Sequence, residues 1–97
     1  MTLTLLVINI PPALEEDLVD YLLSQPGTSG FTSYSVNGHG DYRELSIAEQ
    51  VSGRRQRKQF ELIMAVDDVH SLVGGLASAV GRDIVDWEQP VQRLGRT

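Results

Sequence analysis

Cysteine is absent from the 97 residues of the chain, and its absence excludes several kinds of site. Without a thiol the chain can form no disulfide, thiolate zinc site or iron–sulfur cluster, and it has no cysteine nucleophile. Long hydrophobic runs are missing as well, since the segment Leu3–Ile10 is far shorter than the ~20 residues that span a bilayer. The N-terminus also lacks the basic start and the cleavage site of a signal peptide. We therefore expect a cytoplasmic protein that does not insert into a membrane.

Basic residues are scarce: eight Lys and Arg face thirteen Asp and Glu, which gives a net charge of −5. A negative long-range field repels polyanions, so we expect no nucleic-acid partner. Four of the eight basic residues nevertheless lie in one short run, Arg54–Lys58. Such a cluster can hold a small anion through bidentate arginine contacts, or it can be a solvated charge run; composition leaves both interpretations open.

The length and the pattern of apolar residues predict one α+β domain over residues 1–97. Strand and helix periodicities alternate in the order βαββαβ, which is the ferredoxin-like arrangement of a four-stranded antiparallel sheet with two helices on one face. The predicted segments are a strand Leu3–Ile10, a helix Ala13–Ser24, strands Gly30–Asn37 and Arg57–Val66, a helix capped by Asp67 that runs to Gly81, and a strand Asp83–Gln89.

The first strand is apolar on both faces, and this pattern predicts self-association. Leu3, Leu5 and Val7 alternate with a second apolar row, and Ile63 lies opposite the main apolar row of the third strand. Helices on one side of the sheet would leave the other side exposed, and a large exposed apolar patch usually marks an interface. We therefore expect a homo-oligomer.

A long connection, about residues 38–56, separates the second and third strands. Hairpins need two to five residues, so a connection of this length is functional or disordered. Ser46 and Glu49 have the spacing of a capping box, which predicts a short helix over Ser46–Val51 behind a mobile tip at Gly40–Glu44. A surface helix with a solvated charge run and a functional loop both fit this pattern.

Other sites have weaker support in the sequence. His39, Asp41 and Glu44 offer imidazole and carboxylate ligands to a metal ion, but their spacing matches no strong motif. Arg82, Arg93 and Arg96 are further cations near the C-terminus, which strengthen an anion site if the fold gathers them. No catalytic motif is present, so we do not expect an enzyme.

The segment Gly30–Gly40 and the C-terminal Pro90–Arg93 resemble the PII (GlnB-like) signal-transduction proteins. Gly30, Thr32, Val36, Gly38 and Gly40 have the spacing of the second strand of that family. The stretch Leu45–Arg54 is similar to a shortened, uncharacterised PII-like branch. The resemblance covers nearly the whole chain.

This resemblance implies a homotrimer whose sheets face inward, a partner-docking T-loop at about residues 38–56, and adenine nucleotides bound between subunits. Arg96 falls where the family carries a phosphate-contacting arginine. The chain departs from the family in two places: Ala79–Asp83 replaces the glycine-rich B-loop that wraps ATP phosphates, and Asn37 replaces the lysine before the T-loop. Relatives in this branch are associated with membrane transporters, including heavy-metal efflux systems.

The sequence thus predicts a PII-like regulator that binds a small ligand and controls a protein partner, a membrane transporter by family analogy. The alternative is a divalent-metal-handling trimer of the CutA kind, and a third interpretation is a ferredoxin-like dimeric enzyme. An adenine nucleotide is the candidate ligand. The predicted ligand-binding residues are Thr32, Gly38, His39, Arg54, Arg55, Arg57, Arg82 and Arg96.

Overall fold

A computed structural model describes residues 2–40 and 55–97 of the chain. In chain order the elements are strand β1 (Leu3–Ile10), a 3-10 turn (Pro12–Leu14), helix α1 (Glu15–Ser24), strands β2 (Thr32–Gly38) and β3 (Arg55–Ala65), helices α2 (Val66–Gly74) and α3 (Leu76–Ala79), and strand β4 (Val85–Val91). This is the predicted ferredoxin-like α+β fold.

The four strands form one antiparallel sheet in the order β2-β3-β1-β4. Leu6 pairs with Leu62 of β3 and with Glu88 of β4, which fixes the register of the two central pairings. Strand β4 lies at one edge of the sheet, where Pro90 is tolerated because its missing N–H is not needed by a further strand.

One face of the sheet packs on the helices and forms the core. The even-numbered side chains of β1 and β3 supply its sheet half, and the helices supply the other half. The buried core residues are Leu6, Ile8, Ile10, Leu18, Leu22, Phe60, Leu62, Met64, Val69, Leu72, Leu76 and Val80. Phe31 extends this core toward β2, with its ring centroid 5.8 Å from that of Phe60.

Helix starts agree with the charge pattern, with one correction. Pro12 opens the 3-10 turn that leads into α1, and three acidic residues occupy the first turn of α1, where the helix dipole favours them. The predicted N-cap Asp67 is wrong: α2 begins directly after β3, at Val66, so Asp67 lies within its first turn. An acidic residue is favourable both as an N-cap and within the first turn, where it interacts with the helix dipole. The sequence alone therefore does not show which of these positions Asp67 occupies.

The helix predicted to run on to Gly81 is divided at Gly75 into α2 and α3. The hydroxyl of Tyr21 donates a 2.6 Å hydrogen bond to the carbonyl oxygen of Leu72 and lies directly against Gly75. A Cβ at Gly75 would stand 3.1 Å from Cζ of Tyr21 and closer still to its hydroxyl oxygen, whereas a Cβ at Gly74 would meet nothing within 4 Å. Gly75 is therefore required by the close approach of α1.

Substituting these adjacent glycines should change stability in opposite directions. Gly75→Ala should cost about 1–3 kcal/mol, because Tyr21 must move and lose its bond to Leu72. Gly74→Ala should stabilise the chain by about 0.5–1 kcal/mol through helix propensity. Urea unfolding at one chain concentration measures both. Equal effects of the two substitutions would contradict the assignment of Gly75 to the contact with Tyr21.

The opposite side of the sheet carries no helix among the described residues, and we call it the helix-free face. Its side chains are those of Leu3, Leu5, Val7, Asn9, Thr32, Tyr34, Val36, Arg55, Arg57, Gln59, Glu61, Ile63, Ala65, Val85, Trp87, Gln89 and Val91. Tyr34, Val85 and Trp87 are 42%, 52% and 40% exposed. The predicted two-sided apolar character of β1 is thus confirmed, and large apolar side chains remain open to solvent.

Strands β2 and β3 stay paired as far as Gly38 and Arg55. The connection between them is therefore residues 39–54, slightly shorter than predicted, because β3 begins two residues earlier. Apart from Gly40, the predicted tip Gly40–Glu44 and the short helix Ser46–Val51 lie outside the described residues. Within residues 2–40 and 55–97, no helix is long and apolar enough to cross a bilayer.

Candidate ligand pocket and the polar network of the sheet

A pocket of about 320 Å³ opens where β2 begins, beside the helix-free face. Leu5 and Ile63 of the sheet and Leu94 of the C-terminal tail give it apolar walls, and the tail returns across the sheet to bring Arg96 to the same pocket. Its polar side chains are those of Ser29, Thr32, Glu61 and Arg96. Two predicted ligand residues, Thr32 and Arg96, are therefore brought together although 64 positions separate them in the sequence.

The other end of β2 holds a buried cation. The side chain of Arg57 is 5% exposed, and its guanidinium donates to the side-chain oxygen of Asp83 at 3.0 Å and to the carbonyl oxygen of Asp83 at 2.8 Å. It also donates to the side chain and the carbonyl oxygen of Asn9, at 2.6 and 3.0 Å. Arg55 forms a second ion pair with Asp83. One carboxylate thus bridges two of the predicted ligand arginines.

Asp83 adopts the left-handed conformation, with φ of 62°. Aspartate tolerates this region better than most residues, and its contacts with Arg57 stabilise the turn. Because Asp83 directly precedes the segment that enters β4, Arg57 cross-links the end of β1, the start of β3 and this turn. The network makes Arg57 a structural residue of the sheet as well as a predicted ligand residue.

The remaining predicted residues are dispersed. Gly38 pairs with Arg55 at the end of the sheet that holds Arg57 and Asp83, and the neighbouring His39 is exposed. Arg82 lines a pocket with Val73 and Leu76 on the helix side. Arg54 lies outside the described residues.

The basic run is also divided between the two faces of the sheet. Lys58 lies on the helix side, where it donates to the hydroxyl of Ser35 at 2.8 Å and stands 3.6 Å from the carboxylate of Glu15. Arg55 and Arg57 lie on the helix-free side. The sequence treated these residues as one cluster, and strand alternation separates them.

Within one chain Arg96 cannot meet Arg55 and Arg57 on a single phosphate group. Thr32 and Gly38 are the first and last residues of β2, so the pocket at Thr32 and the arginines beside Gly38 are roughly 20 Å apart. Arg96 can therefore share a ligand with Arg55 and Arg57 only if the two ends come from neighbouring copies of the chain. The sequence predicted such a site between subunits. It stays a prediction.

A directional chain of hydrogen bonds crosses the helix-free face between these two ends. Arg57 donates to Oδ1 of Asn9 at 2.6 Å, and Nδ2 of Asn9 donates to Oε1 of Gln59 at 3.1 Å. Nε2 of Gln59 then donates to the hydroxyl of Tyr34 at 2.9 Å, and this hydroxyl donates to the carboxylate of Glu61. This series of hydrogen bonds starts at the buried guanidinium of Arg57 and ends at the carboxylate of Glu61 in the pocket, and we call it the polar chain.

The polar chain perturbs Tyr34. Its hydrogen bond to Glu61 raises the pKa of Tyr34 above the usual 10.0, with a further rise from partial burial and a smaller opposing effect of Gln59. The Tyr34 hydroxyl can donate this hydrogen bond until it ionises. Stabilisation from this bond is therefore complete below pH 10 and is lost as the pH rises through the folded-state pKa.

Glu61→Gln should lower the pKa of Tyr34 toward 10.0, because the acceptor loses its charge. The titration can be followed by NMR of the tyrosine ring carbons, with the Tyr34→Phe spectrum assigning the resonance. An unchanged pKa in Glu61→Gln would contradict the bond.

The sequence predicted no metal site, and the described residues do not test the weakly supported ligand set of His39, Asp41 and Glu44. Two of the three candidate ligands, Asp41 and Glu44, lie outside the described residues, so their distance from His39 is not defined. Among the described residues, no group of three His, Asp or Glu side chains is arranged to hold a metal ion.

Sequence reasoning missed Asn9, Tyr34, Gln59, Glu61 and Asp83. Two signals were present. Asn9 is a polar residue in a strand that is apolar apart from it and Thr4, and a buried polar group needs a partner. Alternation also placed Gln59 and Glu61 on one face. The partner Asp83, 26 residues from Arg57, carries no local signal.

Comparisons with solved structures agree with the fold. A DUF3240 family protein from Shewanella baltica OS155 superposes with a TM-score of 0.81 at 24% identity, over 100% of this chain and 98% of that one. A candidate PII-like signalling protein from Thermus thermophilus gives 0.66 at 19% identity, over 94% and 88% of the two chains. A Bacillus cereus protein related to NIF3 gives 0.72 at 14% identity, over 98% of this chain but 26% of that one.

These likenesses confirm a PII-like fold, while a place in the GlnB-like branch stays a prediction. No curated protein is significantly similar to the chain in sequence. The family described as "Protein of unknown function (DUF3240)" matches residues 1–97. Because this match spans the whole sequence, the chain belongs to the DUF3240 family.

Proposed function

We propose that the protein is a PII-like trimeric regulator that binds an adenine nucleotide in the pocket at the start of β2 and controls a protein partner through residues 39–54. The observation that carries this proposal is the pocket itself. It combines apolar walls, a carboxylate, a hydroxyl and a guanidinium in one place, although its residues come from the sheet, the start of β2 and the C-terminal tail.

The chemistry of the pocket suits a nucleotide. Leu5, Ile63 and Leu94 offer apolar surface to a planar base, and Arg96 offers a cation to a phosphate. A volume of about 320 Å³ holds a nucleoside and leaves the phosphates near the surface. The second strand and the C-terminal arginine are also where the sequence resembles the PII proteins.

The exposed helix-free face supports the trimer. Trp87 and Val85 become buried only if another surface packs on this face, and two further copies of the chain can provide that surface. Leu5, Glu61 and Ile63 of the pocket belong to this face, so a copy that covers the face would also contact the pocket. Nucleotide binding and assembly are then linked.

The connection 39–54 leaves the sheet at the end of β2 remote from the pocket. Its length and position suit a docking segment that acts on a partner, for which the PII resemblance suggests a membrane transporter in the cytoplasmic setting that we expect. A ligand at one end of the sheet and a docking segment at the other are the two parts that a regulator requires.

The test is a thermal-shift and calorimetric titration of the full chain with AMP, ADP, ATP, and copper and zinc salts. We expect an adenine nucleotide to raise the melting temperature and the metals to leave it unchanged. Arg96→Ala should weaken nucleotide binding by about 1.5–3 kcal/mol, the range for a hydrogen bond to a charged group, and rising salt should weaken it in the unsubstituted chain.

Arg93→Ala is the matched control. The guanidinium of Arg93 lies against Gly95 and does not line the pocket, so this substitution should leave binding nearly unchanged. Stabilisation by copper or zinc without any nucleotide effect would contradict the proposal and favour the CutA-like alternative.

A further inference from the structure

We propose that Glu61 selects a ligand that presents an amino group, the 6-amino group of adenine, and that Tyr34 is the positioning residue that aims its carboxylate. This inference rests on the proposed nucleotide function and adds a determinant of base specificity. The observation behind it is the end of the polar chain, where the Glu61 carboxylate lines the pocket and one of its two oxygens is held by the Tyr34 hydroxyl.

Glu61 is the carboxylate that lines the pocket, at the boundary between the apolar walls and Thr32. Its Oε2 accepts the hydroxyl proton of Tyr34. Among the described residues no donor contacts Oε1, so one acceptor oxygen remains for a ligand. An ionised carboxylate accepts hydrogen bonds and donates none, so it favours a ligand group with an N–H.

The orientation of Glu61 depends on the rest of the polar chain. Glutamate has three rotatable bonds, and an unrestrained carboxylate at a half-buried site would populate several rotamers. The Tyr34 hydroxyl removes that freedom, and Tyr34 is itself held by the amide of Gln59. Because every member donates in the same direction, the hydroxyl proton of Tyr34 points at Glu61 and not back toward Gln59.

The pairing across the sheet supports the same assignment. Thr32 of β2 lies directly opposite Glu61 of β3, and Tyr34 lies opposite Gln59. Tyr34 is therefore one residue pair away from the pocket and does not line it. Its effect on a ligand must pass through Glu61, which is what distinguishes a positioning residue from a contact residue.

The test compares ADP with purine riboside 5′-diphosphate, which lacks the 6-amino group, by calorimetry. For the unsubstituted chain we expect ADP to bind about tenfold or more tightly than this analogue, the value of a hydrogen bond to a charged group. Glu61→Ala should reduce the ratio to near one, because it removes the acceptor of the amino group. Tyr34→Phe should reduce it about threefold or more, mainly by weakening ADP, while the analogue binds as before.

Ser33→Ala is the control, since Ser33 is exposed on the same strand and faces the helix side. It should leave both affinities and their ratio unchanged. A merely structural role of Tyr34 would weaken both ligands equally, and that result would overturn the inference.

The outcomes separate this inference from the function on which it rests. If the unsubstituted chain binds both nucleotides with equal affinity, the specificity inference fails and the nucleotide function stands. If it binds neither, the proposed function fails and the inference fails with it. A ratio that depends on both Glu61 and Tyr34 supports both.

Discussion

Ile63→Asp is expected to convert the trimer that we propose into single chains of 10.7 kDa. Ile63 lies on the helix-free face opposite Leu5, and in an assembly with inward-facing sheets it is covered by a neighbouring copy. An unpaired carboxylate buried at each subunit contact costs several kcal/mol, and three contacts multiply that penalty. The mass is measured by light scattering at micromolar concentration.

Leu23→Asp provides the matched control for this experiment. Leu23 is 71% exposed on α1, on the outer side of the helix layer, so the same chemical change there should leave the mass unaltered. Dissociation in both variants would indicate a general loss of structure, which circular dichroism detects. An unchanged mass in Ile63→Asp would contradict the assignment of the helix-free face to the subunit contact.

Asp83→Asn is expected to lower the free energy of unfolding by about 2–3 kcal/mol. Arg57 is almost fully buried, and removing the charge of Asp83 weakens an ion pair of this buried guanidinium. Loss of a fully buried partner costs about 3–5 kcal/mol, but the side chain of Asp83 is 33% exposed and water recovers part of the loss. Asparagine preserves the left-handed turn, so backbone strain does not confuse the result.

The measurement for Asp83→Asn is urea unfolding at one fixed chain concentration, because subunit association would otherwise contribute. Asp86→Asn is its control: Asp86 is exposed in the edge strand β4, and its substitution should stay within about 0.5 kcal/mol. Equal and small effects of the two substitutions would show that Asp83 does not stabilise Arg57.

The fold could be predicted because its signals are local. Leu3–Ile10 has two rows that are apolar except for Thr4 and Asn9, and Pro12 with the acidic residues after it defines the start of a helix, so both elements were placed within a residue or two. The division of the last helix was less accessible. Gly74 and Gly75 are equivalent in the sequence, and only the contact with Tyr21 reveals which of them is required.

The site was harder to predict because its residues are joined by packing. Arg54–Lys58 is one cluster in the sequence, but β3 begins at Arg55, and the alternation of this strand directs Lys58 toward the helices and Arg57 toward the helix-free face. Arg96 reaches Thr32 because the C-terminal tail turns back across the sheet, a path that no periodicity specifies. The carboxylate of Asp83, which bonds to Arg55 and Arg57, belongs to a turn that the sequence marked only as a departure from the PII pattern.

A crystal structure of the full chain with ADP tests the central claim most directly. The account predicts three copies with their helix-free faces turned inward and one nucleotide per chain in the pocket between Thr32 and Arg96. The adenine amino group should lie within hydrogen-bonding distance of the Glu61 carboxylate. A monomer with that pocket empty, or a nucleotide bound among the helices or beside Lys58, would contradict the account.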